Sequence, residues 1–356
     1  MRTTSLSITE PPTNTVAFSG SSTVNNIRVP IVFIHRGTAD YLPVSIAQAH
    51  YSNPDSPLYL LADDRWKNEP LVHHYSLDNE SPSVKRFLSR YIHLSSNPAG
   101  FEQFCFMRWF HLREMMEREN IEQVFVADSD ALLYRNLNHL LPKWHGLKLG
   151  LSVPMQRHEW DLIASGHFSY WTQDSINAFC DFIFQLYDEP WLNTLRNKYA
   201  YHQAMGMTGG ICDMTALYLF WHDYRARAGE SATINLLEST SEGVFDLTLA
   251  TGDNHRPGEF ATEGIQKRVV WQNKQPYLVR TEGEYVPAIG LHFQGNHFKA
   301  LLPEMATCPF NLRLNIKRMR NTVRYGLLPP LRRRVKAILK LFQGSGRRVP
   351  QEGAAS

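Results

Sequence analysis

Two carboxylates one residue apart, Asp128 and Asp130, follow an unbroken apolar run, Val124-Phe125-Val126-Ala127. An unpaired charge beside a dry core is very costly, so these acids need a counter-charge. A divalent cation is the obvious one. A second polar cluster closes another apolar run: Ala288-Ile289-Gly290-Leu291 leads into His292-Phe293-Gln294-Gly295-Asn296-His297-Phe298-Lys299. His292 reads either as an ordinary hydrogen-bonded histidine or as a ligand. Its company favours the second reading, since Gly295 permits close backbone approach to a bound group and Lys299 lies about one turn on. A third charge interrupts a helical stripe. Phe101, Cys105, Arg108, Leu112 and Met115 recur at steps of four, three, four and three, one continuous face. The Arg108 head either snorkels to the rim and pairs with a local acid, or reaches a ligand crevice and meets an anion there.

The elements that must carry these groups are legible from patterning. A short apolar run rich in β-branched and aromatic residues is what a strand buried on both faces looks like. Open α/β sheets bind ligands beyond the C-terminal tips of such strands, which is where Asp128 and Asp130 fall. Residues 29–34 form a similar run, ending at His35-Arg36-Gly37. Asp40 is expected to cap a helix bearing Leu42, Ile46 and Ala49 on one face. A second strand over residues 58–61 ends at Asp63-Asp64. Strand, helix, strand with short connections implies a right-handed crossover and a parallel sheet. Ser81-Pro82 and Asn97-Pro98 open two helices. Residues 148–153 read as a further strand, and Arg157 through Trp171 as a polar, aromatic loop whose rings serve either as core or as a sugar-stacking surface. Asp174 is expected to cap a helix with Ile176, Phe179, Cys180, Ile183 and Leu186 on its face, and Gly209-Gly210-Ile211-Cys212-Asp213 to open another. Residues 244–300 look antiparallel, with Val269-Val270-Trp271 and Tyr277-Leu278-Val279 flanking a hairpin connection.

Bulk properties set the limits. The chain has 356 residues, 43% of them hydrophobic, enough for one large or two modest domains. We expect a loose, Ser/Thr/Pro-rich arm over residues 1–26, a catalytic domain over residues 27–310 and a tail over residues 311–356. No run of about 18 apolar residues offers a membrane span, and the first residues lack the apolar stretch of a secretory signal. Cys105, Cys180, Cys212 and Cys308 show no framework spacing and read as free thiols of a cytoplasmic protein. The net charge of +3 is unevenly spread: the tail carries twelve Lys/Arg against Glu352 alone, leaving 25 basic and 33 acidic groups, a net of −8, on residues 1–310. Within the tail, Leu331, Val335, Ile338, Leu339 and Phe342 alternate with Arg332, Arg333, Arg334, Lys336 and Lys340. That is a basic amphipathic helix, suited either to peripheral docking on an anionic inner-membrane face or to packing on the acidic body. No nucleic-acid recognition module is visible, and nucleic acid is not expected as a partner.

Taken together, Arg108-Trp109-Phe110-His111-Leu112, then Val124-Phe125-Val126-Ala127-Asp128-Ser129-Asp130 with Leu137 and Leu140, and finally His292-Phe293-Gln294-Gly295 with Lys299, resemble the GT-A fold, Asp-x-Asp glycosyltransferases. The resemblance covers residues 29–302. It implies a GT-A-like, Rossmann-like α/β fold: a mostly parallel mixed sheet flanked by helices, with a smaller antiparallel C-terminal part. It implies transfer of a sugar from a nucleotide diphosphate-sugar to a glycan, lipid or protein acceptor, with Mn²⁺ or Mg²⁺ as cofactor. By the same analogy Asp130 is the direct metal ligand, Asp128 contacts the ribose or the metal, and His292 is the third ligand. Arg108 and Lys299 face the sugar or phosphates, while His35, Arg36 and Asp63 lie against the nucleotide. The cluster departs by one residue from the commoner His-x-x-Gly-x-x-Lys spacing, since Phe298 stands where lysine is usual, and His297 is an alternative to Lys299. No acid announces itself as an acceptor base; Asp213, Asp161 and Asp174 are the candidates, and Asp174 and Asp213 also read as plain helix caps. Two other classes fit the Asp pair. One is a haloacid-dehalogenase-type phosphatase, against which stand Leu132 in place of Thr or Val and the pair's position after at least two strands rather than on the first. The other is a non-catalytic sugar- or nucleotide-binding relative.

Overall fold

The structure, a computed structural model, describes residues 28–78 and 81–309. The N-terminal arm and the basic tail, with the amphipathic helix expected there, lie outside the described residues. In chain order, β1 (Ile31–His35), α1 (Leu42–Ser52), β2 (Leu58–Ala62) and β3 (His73–Ser76) come first. Helices α2 (Pro82–Arg90) and α3 (Ala99–Arg118) lead to β4 (Gln123–Asp128), and β5 (Ala131–Leu133) follows after only two intervening residues. Strands β6 (Leu149–Ser152) and β7 (Ser165–Thr172) precede α4 (Gln173–Gln185), α5 (Trp191–Ala204), α6 (Asp213–Ala228) and β8 (Thr233–Asn235). The remainder holds β9 (Val244–Phe245), β10 (Thr262–Glu263), β11 (Gln266–Lys267), β12 (Val269–Gln272), β13 (Gln275–Val279) and β14 (Tyr285–His292), then the single turns α7 (Asn296–Lys299) and α8 (Leu302–Met305).

Seven strands make the main sheet in the order β3-β2-β1-β4-β7-β6-β8. Only β7 runs antiparallel to its neighbours; the other pairs are parallel. This is the mixed, mostly parallel α/β sheet that the all-apolar runs imply. Because side chains alternate across a strand, β1 and β4 feed two separate cores. Ile31, Phe33, Phe125 and Ala127 join the core beneath α1 and the smaller sheet. Val32, Ile34, Val124 and Val126 join the core beneath α2, α3, α4 and α6. Continuing the alternation, Asp128 projects to the α3 side. The smaller sheet has the order β12-β13-β14-β5, antiparallel as expected, with β9 lying parallel against β14.

Several local expectations shift. Ser81 caps α2, accepting from the Val84 N–H, but Tyr41 rather than Asp40 occupies the first cap, with proline in the turn that follows. Pro98 takes the cap of α3, and the Asn97 side chain donates to Glu102 instead. Asp174 is not a cap. Thr172 and Ser175 form a reciprocal capping box around it, leaving Asp174 exposed in the first turn. Residues 165–172 are a strand, not a loop, and its rings are core: Phe168 and Tyr170 on one face, Trp171 on the other. The interleaved Gly166, His167 and Ser169 hide it, because each is buried with a partner in the fold rather than exposed. All four cysteines are free.

Candidate active site

Strand β4 delivers Asp128 at its tip, and the two residues Ser129 and Asp130 turn the chain out of the main sheet and into the smaller one. There β5 pairs with β14 in a register that sets His292 opposite Ala131, and the Phe293 N–H donates to the Asp130 carbonyl at 2.9 Å. Asp128 therefore ends a strand of the main sheet, Asp130 immediately precedes a strand of the smaller one, and the two acids meet at the junction. Asp128, Asp130 and His292 each present a ligand atom, all within 4.8 Å of one another. The His292 Nδ1–H donates to the Leu247 carbonyl at 2.8 Å, which turns Nε2 toward Asp130, 3.5 Å from Oδ1. A metal-binding histidine is oriented in this way by the hydrogen bond its other nitrogen makes. Two carboxylates and an imidazole so arranged are a donor set that fits Mn²⁺ or Mg²⁺, Mn²⁺ better because of the nitrogen.

Cations flank the acids. Lys299 Nζ lies 3.0 Å from Asp130 Oδ2, at the end of the short turn that Gly295 begins with a φ of +89°, a backbone state favouring glycine. His297 is exposed on that turn and packs on Phe298. Arg108 is a bridge: Nη1 donates to Asp128 Oδ1 at 2.9 Å, and Nη2 and Nε both donate to Asp213 Oδ2, at 2.7 and 3.2 Å. The Trp109 indole N–H reaches the same oxygen at 3.1 Å. Of the stripe on α3, Leu112 and Met115 are core, but Phe101 is 58% exposed and with Cys105 and Arg108 faces the cleft. Arg108 therefore pairs with acids of the fold and also lines the crevice.

Electrostatics follow from this packing. Burial alone would raise the Asp130 carboxyl, yet hydrogen bonding and charge from His292 and Lys299 hold it well below the usual carboxylate range. Burial would lower His292, but Asp130 overrides it and lifts the imidazole to about 9. His35 is pushed down to about 4, chiefly by burial. Its Nδ1 pairs with the Ser129 hydroxyl at 2.9 Å, while its buried Nε2 has no hydrogen-bond partner among the described residues.

These groups line a cleft of about 530 Å³ with Arg36, Tyr41, Phe101 and Phe104 on its wall. The structure thus brings together His35, Arg36, Arg108, Asp128, Asp130, Asp213 and His292, with Lys299 touching Asp130 from behind. Asp63 stays at the margin: its carboxylate accepts from Gly37 N–H at 2.7 Å and from Arg65 Nε at 2.5 Å, and so shapes the loop after β1. Asp161 lies outside the cleft, accepting from the Arg157 N–H and pairing with His158 at 3.0 Å. It lines a neighbouring pocket that shares Ser165, Met214, His292 and Gln294 with the cleft. Asp174 is at the wrong end of the sheet. It follows Thr172, which pairs with Gln123, the first residue of β4, and it sits 3.5 Å from Lys148. Tyr41, Ser129 and Asp246 were not singled out by patterning. Asp246 had a signal, since Val244-Phe245-Asp246 is the β4 signature in miniature, a short apolar run ending in a carboxylate.

No protein-family model and no curated protein sequence matches the chain. Solved structures that resemble it in backbone include glycosyltransferases. Mouse xyloside xylosyltransferase 1 aligns at 11% identity over 58% of this chain and 84% of its own, with a TM-score of 0.40. The galactosyltransferase LgtC, in complex with donor and acceptor sugar analogues, aligns at 11% identity over 81% of this chain and 100% of its own, also with a TM-score of 0.40. A glycosyltransferase involved in glycosylation of the major capsid of PBCV-1 aligns at 9% identity over 46% and 69%, with a TM-score of 0.28.

Proposed function

We propose that the chain is a metal-dependent glycosyltransferase, moving a sugar from a nucleoside diphosphate-sugar to a hydroxyl of a glycan, lipid or protein acceptor, with residues 27–310 as the catalytic unit. One observation carries this reading. Asp128, Asp130 and His292 converge within 4.8 Å at the rim of an open cleft that also presents Arg108 and aromatic rings, with Lys299 3.0 Å from Asp130.

The chemistry requires that combination. Breaking a sugar–phosphate bond places negative charge on the departing nucleoside diphosphate. Asp128, Asp130 and His292 would hold a divalent ion, which would supply Lewis-acid stabilisation of that charge, worth several kcal/mol. The side chains do the rest. Lys299 contributes a fixed positive charge beside the ligands, and preorganised charge of this kind lowers the barrier without reorganising at the moment of reaction. Arg108, gripped by Asp213 and Trp109, is held in one pose, so the groups it offers to a sugar or phosphate are already placed. Phe101, Phe104 and Tyr41 supply apolar faces on which a base or sugar ring stacks, and His35, neutral because it is buried, offers Nε2 to a polar edge. Of the three candidate bases, Asp213 is the one that lines the cleft, and its Oδ2 is committed to Arg108 and Trp109, so its role is to hold the guanidinium.

Isothermal titration of a nucleoside diphosphate with and without Mn²⁺ tests the reading. Binding should require the ion and vanish in Asp130→Ala; metal-independent binding that survives this substitution would refute it. Binding without turnover on a panel of nucleotide-sugars and acceptors would instead identify a non-catalytic relative.

A further inference from the structure

The most unusual charges outside the cleft are Asp246 and Lys267, an ion pair with both side chains at 0% exposure and Nζ 2.5 Å from Oδ1. Desolvating two charges is so expensive that an apolar pair of similar size often serves stability as well or better. The pair calls for another explanation, and its connections supply one. The second Asp246 oxygen, Oδ2, accepts the backbone N–H of His292 at 3.1 Å. The next carbonyl, Leu247, accepts the His292 ring N–H, and the Leu249 N–H donates to the His292 carbonyl at 3.0 Å. Residues 246–249 therefore grip His292 at its amide, its ring and its carbonyl. Lys267 fixes that segment in turn. Its ammonium also donates to the Asn254 side-chain oxygen at 3.0 Å, which accepts the Leu247 N–H at 2.7 Å, and its own N–H donates to the Leu249 carbonyl at 2.9 Å. A second ring joins the arrangement: His167 donates through Nε2 to the Asp246 carbonyl at 2.9 Å and stacks on His292 with centroids 4.2 Å apart.

We propose that Asp246 and Lys267 are positioning residues for the metal site, a buried ion pair whose function is to hold the His292 imidazole at the angle and depth that binding a divalent cation requires. The inference rests on the metal-dependent reading given above. It assigns a role to two residues that touch neither the cleft nor the cation. Groups that orient a metal ligand are commonly worth roughly 10- to 100-fold in metal affinity, and the same loss is expected here.

The test uses Mn²⁺ alone as probe, with free Mn²⁺ followed by electron paramagnetic resonance during titration of the full chain. The double variant Asp246→Leu/Lys267→Leu removes both charges together, so its melting temperature should stay near that of the wild type while Mn²⁺ affinity falls by roughly 10- to 100-fold. A purely structural pair would give the opposite, wild-type affinity wherever the fold is retained. Should the double variant not fold, Asp246→Asn preserves size and carries the same expectation at the low end of that range. His292→Ala separates the two levels of the argument. If it loses Mn²⁺ binding while the folded Asp246 and Lys267 variants keep wild-type affinity, the positioning role is overturned and the metal site stands. If His292→Ala itself binds Mn²⁺ as the wild type does, the metal reading fails and the positioning role falls with it.

Discussion

His292 stands opposite Ala131 in the antiparallel ladder of β14 with β5, and Ala131 directly follows Asp130, so strand register sets the imidazole beside the carboxylate, with Nε2 3.5 Å from Oδ1. The contact makes metal binding pH-dependent. Without metal, Asp130 lifts the imidazole to about 9, so His292 is protonated at neutral pH and a metal must displace its proton. Mn²⁺ affinity should rise about tenfold per pH unit between roughly pH 6.5 and 8.5 and flatten above about pH 9. Titrations in buffers of different ionisation enthalpy should count about one proton released per metal. For the metal-free fold the sign reverses. A folded pKa raised above the unfolded 6.5 adds stability that is complete below about pH 6.5 and is lost as the pH climbs through about 9.

Arg108 gives a second prediction. Its guanidinium is the counter-charge of Asp213, and the two side chains are 13% and 5% exposed. Arg108→Ala leaves a buried carboxylate unpaired and should cost about 3–5 kcal/mol in urea denaturation. Arg108→Lys retains the charge but not the fork that spans Asp128 and Asp213. It should recover part of the stability and little of the affinity for a nucleoside diphosphate.

Of Lys299 and His297, the two candidates for the diphosphate contact, Lys299 is the one that pairs with Asp130. Lys299→Met should weaken diphosphate binding by roughly tenfold or more and flatten its salt dependence. His297→Ala, on the exposed side of the same turn, should leave both unchanged. Equal losses in the two variants would assign the diphosphate contact differently.

Gly290 is two residues before His292 on β14, and a Cβ there would sit 2.6 Å from the Phe168 ring. Phe168 is fully buried on β7 and has no room to retreat. Gly290→Ala should cost about 1–3 kcal/mol by overpacking and, by displacing β14, weaken Mn²⁺ binding as well. Thermal denaturation and metal titration measured on the same samples check the coupling.

How much of this was visible in the residues depends on how local its cause is. The strands around Asp128 and His292 declare themselves, because burial on both faces demands consecutive apolar residues. The convergence of Asp128 and Arg108 is legible too: alternation along β4 sends Asp128 to the side of the helix that carries Arg108. Strand β7 was missed because His167, Ser169 and Gly166 satisfy their polar or steric needs through tertiary partners that no local pattern reveals. Asp174 shows the converse. Its sequence context suits a cap, but a Thr172–Ser175 box leaves it no such role, and the antiparallel return of β7 carries it to the opposite end of the sheet from Asp128. The grip of residues 246–249 on His292 joins segments more than forty residues apart, and only the fold discloses it.

The turn at Ser129 separates two acids that are anchored to different sheets, and those sheets contribute to different surroundings on either side of it. An ion held between Asp128 and Asp130 would act as a rivet across that seam. Loading the cleft and locking the halves together would then be a single event, so the resistance of β5 and β14 to amide exchange becomes a gauge of occupancy, readable far from the ion itself.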